Sequence, residues 1–429
     1  MTAPVSTKSS AAASDPNADL VPIVQPYLLV LFSVPFYVDA DARRWIDPLW
    51  AKDLLEHTRY IRQLTLVACA IHGAPPSTAL AMDQIPGLEN VRCVELPRPR
   101  NILLALAILP RTCVVLWREI GRAALVHTAV AGWPLAEAWL IVPLLWLRRR
   151  ILFINVESAF WRLVPGEKAG VRQRVRAVIS ERLNRYCIGR SDISTFTHDG
   201  YRRSLLTRGL ERGHIFEASW IDEANVLTPP ELDRALAQRS RTAMQLRIVF
   251  AGRLTSAKGI FVLLDAMVVA LRDGVDITLD VFGEGPMQDQ CALRVRELGL
   301  QACVRLRGSV PYDQRFFDAL REHDVLVVPT LSDEQPRIVF DAYSQGLPVI
   351  ASRTDGLAQC VEHGVTGWLV EAGDGPALQA QILSAAADPE VLAEMARTCL
   401  DRARRLTHQH MHRARWRLLI DTFPMLAHA

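Results

Sequence analysis

Short apolar runs alternate with amphipathic stretches along the second half of the chain. In residues 276–283 (DITLDVFG) apolar and polar side chains alternate, whereas residues 324–329 (DVLVVP) contain the continuous apolar run of a strand that is buried on both faces. Stretches with helical spacing, such as residues 259–274 (GIFVLLDAMVVALRDG), separate these runs. Strand and helix in alternation predict right-handed crossovers and a parallel sheet. The other strands of this half are predicted at residues 247–252, 304–308, 347–352 and 367–373.

The first half of the chain repeats this pattern less regularly. Strand-like runs occur at YLLVLF, LTLVAC, VRCVEL, ALVHTA, ILFINV and STFTHD. The spacing between them predicts helices at about residues 46–62, 111–121, 134–147 and 168–188. Residues 223–245 are polar and contain Pro229-Pro230, which is typical of a linker. We therefore predict an α/β protein of two doubly wound, Rossmann-like domains, residues 20–222 and 246–405, which face each other across a cleft.

The two ends of the chain differ from these domains. Residues 1–19 are small and polar with one lysine, which predicts a disordered tail and no secretory signal. Residues 406–429 include LTHQHMHRARWRLLIDTF, which we predict to be a helix that packs back on the first domain.

Composition and charge narrow the class of protein. The 429 residues carry a net charge of +3, which is too small to indicate a nucleic-acid partner. The eight cysteines are scattered without a C-x-x-C pair, which favours reduced core thiols in a cytoplasmic protein. Two apolar runs, PYLLVLFSVPFYV and AWLIVPLLWL, are too short to span a bilayer. Because RRR (148–150) follows the second run, it is either a buried helix with a solvated basic end or a peripheral contact with the inner face of an anionic membrane.

Two segments of the second half place glycines and cations directly after predicted strands. In FAGRLTSAKG the strand ends at Gly252, and Arg253 and Lys258 follow within six residues, so two cations could clamp a diphosphate. In FGEGP a turn at Gly283 and Gly285 would let a ring lie against the backbone. Taken alone, the first segment is better explained as a solvated loop before a helix, and the second is a weak signal because G-x-G turns are common.

A third segment contains a predicted helix terminus. In residues 332–352 (SDEQPRIVFDAYSQGLPVIAS), Pro336 is expected in the first turn of a helix. The backbone amides of Arg337, Ile338 and Val339 would then face the cleft as an anion site. A fourth segment, SRTDGLAQCVEHGVTG, is a loop that leads into another helix.

Two aspartates flank this helix terminus. Asp333 precedes the helix and Asp341 lies eight positions later, inside it. A carboxylate accepts two hydrogen bonds at once, so it can orient a polyol without acid–base chemistry. The alternative is that Asp333 caps the helix and that Asp341 is a polar face residue.

Together the four segments resemble the nucleotide-sugar-binding domain of retaining GT-B glycosyltransferases, specifically glycosyltransferase family four. The resemblance runs from about residue 246 to 375 and consists of G-R-L-x4-K-G, G-x-G-P, an acidic pair, A-x3-G-L-P-V-I-A-S and D-G…E-x-G-x-T-G-W-L-V, in that order. It implies that Arg253 and Lys258 neutralise a donor diphosphate, that Asp333 contacts the donor sugar and that Asp341 binds the ribose.

The chain departs from the family pattern at the acidic pair. The family has Glu-x7-Glu, whereas Asp333 and Asp341 are one methylene shorter, so contact needs a closer backbone or a bridging water. The adjacent Glu334 could replace the missing glutamate, and the later glycine pair of the family is Asp355-Gly356 here. The departure leaves the sugar open. It also keeps a catalytically silent partner subunit and a nucleotide-sugar epimerase of the same fold as alternatives.

The first half is expected to bind the acceptor, which is a glycan or a lipid-linked sugar. His127 in ALVHTAVAGWP is predicted at a strand end, where it lies either near the transferred sugar, as in some relatives, or in a structural role. Glu157, Trp161 and Arg162 follow another strand, and Trp161 either stacks on an acceptor sugar or packs in the core.

No metal and no cofactor beyond the nucleotide-sugar co-substrate is predicted. Asp39-Ala40-Asp41 has the Asp-x-Asp spacing with which the GT-A class holds a divalent ion, but it lies in the half opposite the diphosphate residues. We therefore interpret it as a loop or acceptor-side feature. H-E-x-x-H, G-x-S-x-G and P-loop signatures do not occur in the sequence, so protease, esterase and ATPase functions have no support. The resemblance implies a metal-independent retaining glycosyltransferase of bacterial-type polysaccharide or glycolipid biosynthesis.

Overall fold

The first domain is a parallel sheet with helices on both faces. The computed structural model of the protein describes residues 20–130, 132, 135–163, 169–240, 245–333 and 335–428. In the first domain these residues form β1 Tyr27–Val38, β2 Arg44–Ile46, α1 Pro48–Tyr60, β3 Leu64–His72, β4 Leu80–Ala81, β5 Arg92–Pro97, α2 Ile102–Arg122, β6 Leu125–Ala129, α3 Glu137–Arg148, β7 Ile151–Val156, α4 Val171–Gly189, β8 Ile193–Phe196, α5 Asp199–Leu205 and β9 Gly213–Ile215.

The parallel strands of this sheet run in the order β5-β3-β1-β6-β7-β8-β9, and β2 and β4 add an antiparallel extension beside the end of β1. Alternate residues of one strand enter opposite cores, because successive side chains of a strand point to opposite faces. Leu28 and Val30 of β1 enter one core, and Tyr27 and Leu29 enter the other. The chain winds outward in both directions from β1 and β6, so the crevice at the carboxyl ends of these two strands is the expected ligand site.

The second domain has the same architecture. Its elements are α6 Pro229–Ser240, β10 Gln245–Ala251, α7 Ile260–Arg272, β11 Asp276–Phe282, α8 Gln288–Glu297, β12 Val304–Gly308, α9 Gln314–Arg321, β13 Val325–Val328, α10 Ile338–Ser344, β14 Val349–Ser352, α11 Asp355–Cys360, β15 Gly367–Val370, α12 Gly375–Ala387 and α13 Pro389–Ala403. Its six strands are parallel in the order β12-β11-β10-β13-β14-β15, with the switch point between β10 and β13. The prediction of two doubly wound domains is confirmed.

The last helix, α14 His408–Thr422, returns to the first domain and packs on α1. Leu419 of α14 is fully buried in the core beneath β1 and β3. The hydroxyl of Tyr60 at the end of α1 donates to Nδ1 of His412 over 3.2 Å. The chain therefore closes the first domain with its own C-terminal segment.

Two elements depart clearly from the predicted organisation. Helix α6 occupies most of the predicted linker and packs through Leu232 on α13, because Pro229-Pro230 starts a helix instead of ending one. Helix α2 begins at Ile102 instead of residue 111, because Asn101 caps it and Pro110 is accommodated inside it.

The predicted tail (residues 1–19), the Trp133-Pro134 part of the predicted turn and Glu334 lie outside the described residues. Among the helices that the described residues form, none is both long and apolar enough to cross a bilayer.

Candidate functional site

A cavity of about 400 Å³ opens at the carboxyl ends of β10 and β11. Its walls include Gly252, Arg253, Gly283, Ser309, Phe316 and Ile338. These residues come from the loops after β10, β11 and β12, from α9 and from the start of α10, which the parallel sheet brings to one edge. Four predicted residues that follow three different strands therefore meet around one space.

The glycines at this edge are required by close backbone contacts. Gly283 has φ +124°, and a Cβ there would lie 2.1 Å from the carbonyl oxygen of Gly252. A Cβ on Gly285 would lie 2.3 Å from the carbonyl oxygen of Leu254. The amide of Leu254 in turn donates to the Glu284 carbonyl over 3.0 Å. The two loops are therefore fixed to each other and leave bare backbone beside the cavity.

The two predicted cations lie on consecutive turns after β10. Arg253 is exposed and forms part of the cavity wall. Lys258 is half-buried in a 3₁₀ turn that ends at Gly259. A Cβ on Gly259 would lie 1.9 Å from the carbonyl oxygen of Pro329, which fixes this turn against the end of β13. The carbonyl of Ala257 also accepts from the Leu331 amide over 2.7 Å. This hydrogen bond joins the turn that contains Lys258 to the loop that contains Asp333.

Helix α10 begins two residues later than predicted. Ile338 is its first residue, Arg337 is the N-cap, and Pro336 precedes both. The amide of Val339 donates to the Pro336 carbonyl over 3.2 Å, so it does not face the cleft as predicted. The guanidinium of Arg337 instead lies 5.0 Å from the ring centroid of Trp220. Of the predicted trio, Ile338 is the residue that lines the cavity.

Asp341 is buried, with 5% of its surface exposed. Its Oδ1 accepts a hydrogen bond from the Tyr312 hydroxyl over 2.7 Å. Burial raises the pKa of the Asp341 carboxyl to about 6, and the tyrosine bond partly offsets this rise. The carboxylate is therefore not an exposed polar face residue, and one of its two oxygens already accepts from Tyr312.

Asp333 lies where the two domains meet. Its Oδ1 accepts from the Gly356 amide over 3.0 Å, so it caps the start of α11 and not the helix that directly follows it. Its backbone carbonyl accepts from the hydroxyl of Tyr201, a first-domain residue, over 2.5 Å. His198 is fully buried, and its Nε2 lies 3.9 Å from Asp333 Oδ1. Sequence reasoning missed both first-domain partners, because nothing in the sequence links residues 198–201 to residue 333.

His127 lies inside β6, as the third of its five residues, and not at the strand end as predicted. Its Nδ1 lies 2.9 Å from the Tyr27 hydroxyl, and its ring stacks on Phe153 with 4.2 Å between centroids. Burial lowers its pKa well below the usual value. It forms part of the wall of a cavity of about 140 Å³ at the carboxyl ends of β1, β6 and β7, which we call the first-domain cavity.

The residues after β7 divide between this cavity and the core. Glu157 is exposed and lines the first-domain cavity, and loss of solvation by the surrounding protein raises its pKa. Trp161 is buried, and its Nε1 donates to Glu181 over 2.7 Å, so the core interpretation is correct for it. Arg162 pairs with the same glutamate over 2.8 Å. Asp39 closes the turn between β1 and β2 by accepting from the Trp45 indole over 2.7 Å, which makes it a loop feature.

A buried polar cluster joins α1 to α14 beside the first-domain cavity. His412 Nε2 donates to Asp53 Oδ1 over 3.0 Å, and His408 Nε2 lies 3.6 Å from the same oxygen. Nη1 of Arg415 donates to His57 Nε2 over 3.2 Å. Asp53 and His57, like His408 and His412, are four positions apart and so share a helix face. Each pair is visible in the sequence, but their meeting across more than 350 positions is not.

The buried polar cluster also contains residue types that can ligate a metal. Among the described residues, Asp53, His57 and His412 are the group whose possible ligand atoms lie within 4.8 Å of one another. Because Arg415 donates to His57 Nε2, the neutral imidazole carries its proton on Nδ1, and a fixed positive charge stands beside it. The arrangement fits a hydrogen-bond network better than a cation site. That the protein uses no metal stays a prediction.

Comparison with known proteins agrees with this architecture. Residues 245–388, about a third of the chain, match the family described as Glycosyl transferases group 1. The chain is 31% identical over 156 residues to the amylovoran biosynthesis glycosyltransferase AmsK of Erwinia amylovora, and 36% identical over 149 residues to the phosphatidyl-myo-inositol mannosyltransferase of Mycobacterium leprae. Each match covers 34% of this chain and 38% of the relative, so the chain spans well under half the length of these relatives.

The fold comparison covers nearly the whole chain. The crystal structure of HepE from Anabaena in complex with UDP-glucose superposes with a TM-score of 0.66 at 15% identity, over 93% of this chain and 100% of that one. The chain therefore has the GT-B fold, and the Glycosyl transferases group 1 match coincides with its second domain.

Proposed function

We propose that this chain is a retaining glycosyltransferase of family four that moves a sugar from a nucleotide-sugar to a glycan or lipid-linked acceptor, in bacterial-type polysaccharide or glycolipid biosynthesis. The observation that carries the proposal is the 400 Å³ cavity at the end of β10 and β11, where bare backbone at Gly252 and Gly283 adjoins Arg253. The solved HepE structure holds UDP-glucose, and the relative AmsK is named for polysaccharide biosynthesis, which agrees with a donor of this kind.

The proposed chemistry requires positioning and charge neutralisation. The bond between the sugar C1 and the diphosphate oxygen breaks, the acceptor oxygen bonds to C1 on the same face, and the departing diphosphate oxygen takes the acceptor proton. Arg253 and Lys258 would stabilise the leaving diphosphate in place of a metal ion. Asp333 would hold the sugar hydroxyls, and Asp341 would hold the ribose once Tyr312 yields or shares its hydrogen bond.

Donor binding is the first test. The melting temperature of the protein should rise with one member of a panel of uridine, guanosine and adenosine diphosphate sugars. Arg253→Ala and Lys258→Ala should weaken that binding at least about tenfold. Arg294→Ala is the matched control, because Arg294 is a half-exposed second-domain arginine that pairs with Asp265 over 2.8 Å. A panel with no stabilising member, or an Arg253→Ala variant that binds as the wild type does, would contradict the proposal.

Retention and metal independence need separate measurements. Proton NMR of the first product formed should show the donor's anomeric configuration in the new linkage. The turnover rate should be unchanged in excess EDTA. An inverted product would overturn the retaining assignment, and loss of turnover in EDTA that returns with a divalent ion would overturn the metal-independent one.

The first domain has a surface that favours a lipid-linked acceptor. Helix α3 packs beside α2 and α4, and these helices expose large apolar side chains such as Leu103 (75%), Trp146 (79%) and Val171 (79%). Exposed arginines surround them at positions 149, 150, 172, 174, 176, 182, 185 and 190. Apolar side chains among arginines suit the headgroup region of an anionic bilayer.

Vesicle sedimentation at low salt tests this surface. The protein should bind phosphatidylglycerol-containing vesicles and not pure phosphatidylcholine ones. Replacing Trp146 and Leu147 by serine should reduce binding several-fold. Leu293→Ser, which removes a 55% exposed leucine from the second domain, should have no effect. Equal indifference to both vesicle types would exclude membrane docking through this face.

One observation favours the silent-partner alternative. The hydrogen bond from Tyr312 occupies one oxygen of the Asp341 carboxylate, the group that the proposal assigns to the ribose. Donor hydrolysis in the absence of acceptor separates the two functions, because a silent subunit would release no nucleoside diphosphate.

A further inference from the structure

We propose that the C-terminal helix α14 supplies part of the acceptor site, with Arg415 and Glu157 binding the hydroxyls of one monosaccharide unit in the first-domain cavity. This inference rests on the proposed glycosyltransferase function and specifies its acceptor side.

The guanidinium of Arg415 is buried and forms part of the cavity wall. The residue is 5% exposed, and its Nη1 donates to His57 Nε2. Among the described residues, no carboxylate oxygen lies within the 4.0 Å of an ion pair with Arg415. A guanidinium has five N–H donors, and a buried charge is costly unless its donors are used. The Arg415 side chain also interacts with the Tyr60 hydroxyl, and because it lines the cavity we infer that its other N–H donors serve a hydroxyl that enters there.

The position of Arg415 is fixed from behind by the buried polar cluster. His57 accepts from Arg415 and donates from Nδ1 to the Asp53 carbonyl over 2.8 Å. His412 lies three positions before Arg415 on the same face of α14 and donates to Asp53. Tyr60 orients His412 in turn. The side chain is thus presented at a set angle, which a purely space-filling residue would not need.

The chemistry of the cavity indicates a neutral polyol. Glu157 and Asn155 stand at the end of β7 beside the guanidinium, and Trp50 provides an aromatic wall. Two carboxylates, Asp53 and Glu157, accompany the single arginine, which disfavours an anion. A volume of about 140 Å³ holds on the order of ten water-sized groups, close to the heavy atoms of one hexose. Donors and acceptors side by side match vicinal hydroxyls.

Saturation-transfer-difference NMR with methyl glycosides of glucose, galactose and mannose, in the presence of saturating UDP, tests the proposal. At least one glycoside should give signal with the wild type. Arg415→Gln and Glu157→Ala should each weaken that binding at least about tenfold. Arg413→Gln should not, because Arg413 lies on the same helix but pairs with Glu223 at the surface over 2.6 Å.

Several outcomes overturn the proposal. The proposal is wrong if the wild-type protein binds no glycoside. It is also wrong if Arg415→Gln or Glu157→Ala binds the glycoside as strongly as the wild type does. Should Arg415→Gln fail to fold, Glu157→Ala decides alone, because this exposed side chain stands outside the buried cluster. In transfer assays the two variants should raise KM for the acceptor while KM for the donor stays unchanged. UDP stabilisation of the wild type, measured first, separates failure of this inference from failure of the donor site.

Discussion

The two domains share one fold but build their sites from different parts of the chain. In the second domain the site is formed by backbone segments in close contact. Gly283 lies against the Gly252 carbonyl, and Gly259 lies against the Pro329 carbonyl. In the first domain the site is a set of side chains from distant segments, as where Arg415 of the last helix meets His57 of the first. Close backbone contact requires glycine at fixed places, whereas side-chain clusters require only compatible polar groups. The backbone site of the second domain is therefore visible in the sequence as an ordered motif, whereas the side-chain site of the first domain gives almost no motif.

Gly283→Ala should have the largest effect, because it violates the backbone contact directly. The new Cβ would lie 2.1 Å from a carbonyl oxygen at φ +124°, so we expect a loss of more than about 4 kcal/mol in the free energy of unfolding, together with loss of donor binding. Gly299→Ala isolates the backbone conformation, since it has φ +71° with nothing within 4 Å, and should cost only about 1–2 kcal/mol. Urea unfolding of both variants measures the two losses in the free energy of unfolding. Equal losses would show that the backbone moves away from the new Cβ at position 283 without further cost.

Asp53→Ala tests the side-chain site in the same way. It leaves the buried His408 and His412 without their carboxylate partner, so the free energy of unfolding should fall by about 3–5 kcal/mol. Asp83→Ala removes a half-exposed partner of Arg43 from the same domain and should cost less than about 1 kcal/mol. Chemical denaturation measures both. Similar small losses would mean that the cluster contributes little to holding α14 on α1.

The same contrast explains what could be predicted from the sequence. The glycine turns, the strands that they follow and the position of Arg253 could be predicted because each turn comes directly after an apolar run. His127 was predicted at a strand end, but β6 continues two residues further, to Ala129. The Asp53–His412 contact was missed because residues on two amphipathic helices meet only when the chain returns across the whole fold.

The third prediction concerns acid sensitivity of the first domain. Burial lowers the pKa of His408 to about 4, so the neutral form is favoured in the folded state. Below pH 6.5 the unfolded chain binds a proton at His408 that the folded protein does not bind until about pH 4. The free energy of unfolding should therefore fall with pH in this range, by about 2 kcal/mol at pH 5. His408→Gln should remove that part of the acid dependence, whereas His410→Gln, at an exposed position of the same helix, should not. Unfolding free energies at pH 7.5 and 5 provide the measurement, and identical pH slopes for His408→Gln and the wild type would contradict the assignment.

The second domain should respond to pH in the opposite sense at Asp341. Its folded pKa of about 6 lies above the ordinary aspartate value, so the stability linked to this group is complete below pH 4 and is lost as the pH rises through 6. Asp341→Asn keeps an acceptor for Tyr312 without the charge, and it should be more stable than the wild type by about 3 kcal/mol at pH 8 and equal to it at pH 4. The same variant should bind the donor more weakly, because an amide accepts from the ribose less strongly than a carboxylate does. If the variant gained stability but bound the donor as the wild type does, Asp341 would not be part of the donor site. Its hydrogen bond with Tyr312 would then have a structural role only.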